Sequence, residues 1–170
     1  MAGKETIRVY ADLGHATMEL AKWLQQRGLR AHPVHPYFGL VLLPLMAARA
    51  GLGTPGFHGL LISKSFGPRQ RLAIISTNAR PIPPARENPM ANIREFCETC
   101  RECIKACPGK AFYDPPVQRD NDVITTHIDN QKCYPYFARF KGCSICLKVC
   151  AQMLQESRML IAGSEQRNAM

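Results

Sequence analysis

Between residues 12 and 27 the positions Leu13, Ala16, Leu20, Trp23, Leu24 and Arg27 return every three or four residues, the spacing of one helix face. Asp12 can cap the start of that helix and Gly28 suits its end. Ahead of it, Ile7-Arg8-Val9-Tyr10 alternates over four residues and predicts a short strand. Residues 29–34, with Pro33 inside, predict a short edge strand, and 36–39 a turn. The most apolar stretch, 40–50, is interrupted by Pro44 and Arg49; Pro44 can open a helix, Gly51 can end it, and the helix is expected to be buried. Two apolar runs, 60–63 and 71–77, flank a segment containing Gly67-Pro68 and predict an antiparallel hairpin. Further on, 92–96 predicts a short helix, 123–128 a strand and 152–161 a helix. Strand, helix and strand in succession make the first part an α/β lobe.

The chain divides by composition. All eight cysteines lie between Cys97 and Cys150, and the run Arg80-Pro81-Ile82-Pro83-Pro84-Ala85-Arg86 precedes them. The expected organisation is an α/β lobe over 1–80, a proline-rich linker over 81–90, a cysteine module over 91–162 and a frayed tail over 163–170. Thirteen prolines make long helices scarce. The N-terminus has no apolar core with a cleavage site, and no run approaches the ~18 apolar residues that span a bilayer. A reducing cytoplasm is the expected compartment.

The cysteines read C-x2-C-x2-C-x3-C-P from Cys97 to Pro108, then Cys133, then C-x2-C-x3-C from Cys143 to Cys150. Three thiolates from a short loop can wrap a cubane while a fourth reaches across from elsewhere. In two-cluster proteins with this run the fourth cysteine serves the other cluster. The sets should therefore interleave, with Cys97, Cys100, Cys103 and Cys150 holding one 4Fe-4S cluster and Cys107, Cys133, Cys143 and Cys146 the second. Cys133 stands nine residues before Cys143, so an inserted turn or short helix is expected around 135–140. A disulfide framework suits secreted chains, and zinc, the nearer rival, suits paired C-x2-C units rather than this run.

Clusters alter the charge argument. The formal net charge is +9, which by itself suggests a nucleic-acid or membrane-surface protein. Two oxidised cubanes with their thiolates bring about two negative charges each, leaving roughly +5. Arg94, Arg101, Lys105, Lys110, Lys132, Arg139, Lys141 and Lys148 then offset cluster charge or dock an acidic redox partner.

Residues 51–59 contain G-x-G-x-x-G, but the dinucleotide fingerprint needs a strand before it and a helix after it, the reverse of what surrounds it here. Gly51, Gly53, Gly56 and Gly59 allow positive φ and close backbone approach, which suits a cofactor-facing loop or a tight structural turn. His15, His32, His35, His58 and His127 do not pair at metal-ligand spacing and are expected on the surface or in loops. Trp23 is expected to pack on the neighbouring lobe. No catalytic residue emerges.

With these residues in hand, the chain resembles the C-terminal part of the epoxyqueuosine reductase and corrinoid-dependent reductive dehalogenase group. The likeness rests on Ala47-Ala48-Arg49-Ala50-Gly51-Leu52-Gly53, Gly56, Gly59-Leu60-Leu61-Ile62, Phe66-Gly67-Pro68-Arg69 and the cysteine pattern with its displaced Cys133. It implies α/β (α+β) architecture: a truncated nitroreductase-like corrinoid-domain fragment followed by a two-cluster ferredoxin-like module. It also implies that Gly51, Gly53, Gly56 and Gly59 face a corrinoid (cobalamin) and that the clusters relay electrons to cobalt. Three functions follow as expectations: an electron-transfer protein with a redox partner, a corrinoid-dependent reductase alone or completed by a partner chain, and, as the lesser reading, a tRNA-binding iron-sulfur protein. Ala151 stands where the family often has proline, and no carboxylate stands near His35-Pro36-Tyr37.

Overall fold

The computed structural model describes residues 2–34, 41–80, 88–119 and 124–157. The expected turn at 36–39, His35, the prolines of 81–87, position 123, residues 158–161 and the tail at 163–170 lie outside the described residues.

Helix α1 runs Ala2–Gln25. It absorbs the strand expected at Ile7-Arg8-Val9-Tyr10, because Arg8 pairs along the helix with Glu5 and with Asp12, the latter at 3.1 Å. Asp12 is therefore an interior helix residue and not a cap. At 24 residues α1 is the one long helix among the described residues; the thirteen prolines all lie beyond residue 32, and the helices there run 4–12 residues, as the prolines lead one to expect. Gly28, at φ 78°, ends the turn that follows. Trp23 is about half exposed, with the Arg27 guanidinium 3.6 Å over its ring, instead of packed on another lobe.

Strand β1 (Ala31–Val34) carries Pro33, and pairs antiparallel with β4 (Ile74–Thr77), Ala31 opposite Thr77 and Val34 opposite Ile74. Ala21 of α1 and Ala31 are buried where α1 packs on β1, and Gln25 Nε2 donates to Ala31 O at 2.7 Å. Helix α2 (Leu43–Arg49) starts at the expected proline. Its burial is not as expected: Ala47 is buried, whereas Met46 and the preceding Val41 and Leu42 are exposed.

The hairpin expected between 60–63 and 71–77 does not form. Strand β3 (Leu61–Ile62) pairs instead with β2 (Thr54–Pro55) inside the glycine-rich segment, and the second apolar run pairs with β1. The pattern gave each run a strand but not a partner, since two-residue strands are selected by the glycine turn between them.

Beyond the gap come α3 (Ile93–Cys100), α4 (Glu102–Lys105), the antiparallel pair β5 (Phe112–Arg119) and β6 (Ile124–Ile128), α5 (Asn130–Arg139) and α6 (Ile145–Glu156). The helix expected at 152–161 begins earlier, at Ile145, and runs through Ala151, where a proline would remove a helical N–H. Helix α4 packs on α6. One core joins these elements: Phe57 and Ile62 meet Met90, Ile93, Cys97, Cys103, Cys150 and Leu154. The architecture is mixed helix and small sheets, consistent with α+β. Among the described residues no helix is long and apolar enough to cross a membrane.

Candidate metal centres

Cys97 and Cys100 lie on α3, three residues apart and so on one side of it, and Cys103 lies on α4. Arg101, between the helices, adopts a left-handed φ of 52° that turns the chain so that α4 folds back on α3. Its N–H donates to Cys97 O, and its side chain is pinned by Asp114 at 2.7 Å and Glu98 O at 3.1 Å. Cys150 comes from α6, one helical turn after Cys146 on the same face.

The other group is assembled differently. Cys107 follows α4, Cys133 sits inside α5, and Cys143 and Cys146 stand at the start of α6. The insertion expected around 135–140 is α5 itself, whose start is capped by Asp129: its side chain accepts the N–H groups of Gln131 at 2.9 Å and Lys132 at 3.3 Å. Gly109 lets α5 approach, because a Cβ there would lie 2.8 Å from Lys132 O and 2.9 Å from the Tyr136 ring. Together Cys107, Cys133, Cys143 and Cys146 line one small cavity, walled by Pro108, Ala111, Phe112 and Ile128. Ala111 N–H donates to Cys107 Sγ at 3.4 Å.

Electrostatics couple the thiols both within and between these groups. Burial, and then the neighbouring thiolates of Cys97, Cys146 and Cys100, push Cys103 up to about 12. Burial with Cys97, Cys103, Cys100 and Cys146 pushes Cys150 to about 12 as well. Cys146 rises to about 11, by burial and by Cys143, Cys107 and Cys133. Cys133 is raised by burial, Cys107 and Cys143. Cys97 is raised by burial, against the Phe57 backbone hydrogen bond, which favours its thiolate. Cys146 lines the cavity and also packs against the core that holds Cys97, Cys103 and Cys150, so the two groups are neighbours. Thiols crowded this way resist ionisation until a cation arrives, as ligands of a metal cluster do. Among the described residues no three His, Cys, Asp or Glu side chains are drawn together around a single ion.

The four glycines divide by role. Gly51, Gly53 and Gly59 have φ of 76°, 154° and 75°. A Cβ on Gly53 would lie 2.2 Å from Ile62 O, and one on Gly56 would lie 2.6 Å from Ile62 Cδ1, so both are needed for packing against β3. Gly59 has nothing within 4 Å of such an atom and faces open space.

His58 lies in a loop as expected but is buried there, and His127 lies on a strand instead. His58 is buried, its Nδ1 accepting the Leu60 N–H at 3.2 Å and its Nε2 without a partner; burial, then His127, lowers it to about 4. His127, on β6, stacks on Phe57 with ring centroids 5.2 Å apart. Neither position was visible in the spacing, although the glycine after Cys107-Pro108 could have announced the close approach of α5.

No family model matches the chain. Tetrachloroethene reductive dehalogenase from Desulfitobacterium hafniense is 33% identical over 156 residues, which cover 84% of this chain and 27% of the dehalogenase. The protein of that name from Sulfurospirillum multivorans is 30% identical over 88% of this chain and 31% of its own length. Epoxyqueuosine reductase from Synechocystis sp. is 36% identical over 112 residues, 61% of this chain and 37% of the reductase. This chain is a homologue of both kinds of reductase. The homologue spans less than half the length of the relatives it matches.

Proposed function

We propose that this reductase homologue binds two 4Fe-4S clusters and passes single electrons. Cys97, Cys100, Cys103 and Cys150 would hold one, and Cys107, Cys133, Cys143 and Cys146 the other. The observation that carries the reading is the cavity shared by Cys107, Cys133, Cys143 and Cys146, thiols that the chain draws from three separate places. When bound, a cubane supplies a one-electron couple with little rearrangement. The protein's own part is to bury the sulfurs, to donate the Phe57 and Ala111 N–H groups to Cys97 and Cys107, and to exclude water. Hydrogen bonds to cluster sulfurs raise the potential, so these two donors set how easily each site accepts charge. The division into a 1–80 lobe, an 81–90 linker and a 91–162 ferredoxin-like module is part of this proposal, as is a reducing cytoplasmic setting.

A second reading is a corrinoid-dependent reductase, alone or completed by a partner chain. It is favoured by the names of the relatives and by the open side of Gly59, with Met46, Leu52, Leu60 and Phe66 exposed on α2 and the loops that follow it. That apolar surface suits the face of a large planar cofactor. Anaerobic purification with iron and sulfide counts, electron paramagnetic resonance and cobalamin titration on one sample tests both. About eight irons are expected; four or fewer after full reconstitution would break the ligand assignment. A cobalamin spectrum unmoved at saturation would remove the second reading.

A further inference from the structure

Helix α5 has no buried residue, although it carries Cys133. Cys133 and Tyr136 line the cavity, while Tyr134, Phe137 and Phe140 stand 68%, 50% and 56% exposed, and Ile145, beyond the following turn, 39%. Large aromatic side chains left in water in one place mark a surface that binds something.

The charge around them is one-sided. From Asn130 to Gln155 there is no aspartate or glutamate, while Lys132, Arg139, Lys141 and Lys148 are all exposed. The carboxylate that precedes this stretch, Asp129, is largely covered, caps α5 and pairs with Lys132 at 3.8 Å, which leaves Arg139, Lys141 and Lys148 as the exposed positive charges of the patch. Around the other thiol group the signs alternate. Glu95, Glu98 and Glu102 interleave with Arg94, Arg101 and Lys105, and Lys105–Glu102 and Arg101–Asp114 are paired at 2.7 Å. The positive excess of this region therefore gathers over Cys133 and Cys143 rather than over both sites.

We propose that the outer face of α5 and the turn leading to Ile145 is the docking surface for an acidic protein that carries single electrons. This rests on the cluster reading above. Phe137, Phe140 and Ile145 would form the dry centre, and Arg139, Lys141 and Lys148 the steering rim. One electron leaves the carrier, which is oxidised by one, and arrives at the site of Cys107, Cys133, Cys143 and Cys146, which is reduced by one. No bond is made or broken and no proton is needed. Exposed aromatics among basic residues also suit single-stranded RNA. The position favours a redox protein, because the helix that would be covered is the one holding a ligand of the electron-accepting site.

The test uses the full chain, reconstituted anaerobically, with a small acidic 2Fe-2S ferredoxin as probe. Binding of the oxidised ferredoxin is followed by calorimetry, and reduction by the reduced ferredoxin in stopped flow, with dithionite as a donor that needs no docking. Arg139→Glu/Lys141→Glu should weaken binding and slow ferredoxin reduction by about tenfold or more at low salt, with the gap closing at high salt. Phe137→Ala/Phe140→Ala should weaken binding at every salt concentration. Iron content and dithionite rates should not change in either variant. Wild-type binding and rates in both variants would overturn the proposal. So would unchanged ferredoxin behaviour with lost retention of tRNA, or with a dissolved dimer, which would give the surface to RNA or to a second copy. Wild-type protein that binds the oxidised ferredoxin but holds no iron would sink the cluster reading while supporting this surface.

Discussion

Gly53→Ala should be among the most damaging single-methyl changes in this chain. The new Cβ would sit 2.2 Å from Ile62 O, 2.9 Å from Ile62 C and 3.2 Å from Ser63 Cα, where real Cβ atoms essentially never come within 3.0 Å. All three are backbone atoms of the β3 region, so no side chain can swing aside. Ile62 is itself fully buried in the core beside Cys97, Cys103 and Cys150. Moving β3 outward would break its pairing with β2, and Gly53 O and Thr54 Oγ1 are tied to Asn88 Nδ2 at 2.9 and 3.0 Å. Overpacking costs about 1–3 kcal/mol, and the φ of 154° adds about 1–3 kcal/mol for any residue with a side chain. A total of about 4 kcal/mol is a large part of a typical 5–15 kcal/mol stability and should lower Tm by about 8–16 °C. Gly59→Ala is the internal control, because it has φ 75° but nothing within 4 Å, and should cost only about 1 kcal/mol. Both variants are scanned at one heating rate by circular dichroism, with iron counted on the same samples. Equal Tm changes for the two would refute the steric reasoning, since both carry a positive φ and the clash is the main difference between them.

Three further outcomes follow from the same geometry. Cys150→Ala should remove one thiol set and leave about four irons of eight, with one paramagnetic signal lost; a full iron count would reassign the ligand. Asp129→Ala deletes the two side-chain bonds that cap α5 and should cost about 1 kcal/mol, lost first from the site containing Cys133, seen as faster oxygen bleaching of one cluster only. His58 stays neutral when folded down to about pH 4 but protonates near 6.5 when unfolded, so the unfolded chain binds the extra proton and stability falls as pH drops through that window, by about 3 kcal/mol at most. Relative to wild type, His58→Gln should flatten urea-midpoint curves between pH 6.5 and 4; parallel curves would show that His58 is not the group responsible.

That Cys107, Cys133, Cys143 and Cys146 line one cavity fits a spacing argument, because spacing is a local property: C-x2-C-x2-C-x3-C fixes which sulfurs one short loop can present, whatever surrounds it. Helices α1 and α2 were legible for the same reason, from 3.6-residue periodicity and from Gly28, Pro44 and Gly51. What failed was non-local. Ile7 to Tyr10 alternates, but four residues fit a helix as well as a strand, and the ion pairs from Arg8 decide for the helix. The apolar run at 71–77 could not announce β1 as its partner. His58 looked like a loop histidine because loops are usually wet, yet this loop is pressed into the core, with Phe57 beside it buried among the cysteines.

That burial connects the two halves of the pattern. Phe57 lies between Gly56 and Gly59, and its backbone hydrogen-bonds to the sulfur of Cys97 while its ring stacks on His127. His127 is on β6, which ends one residue before Asp129, the cap of the helix that carries Cys133. One aromatic residue of the glycine-rich loop therefore braces a ligand of the first thiol group directly and the helix of the second through a strand. The glycines matter here less as a bare surface than as the means of holding Phe57: Gly53 and Gly56 seat the loop on Ile62, which fixes where Phe57 can point. Gly59, open on its outer side, stands two residues from Phe57, so a short stretch of backbone joins that open side to the thiol of Cys97.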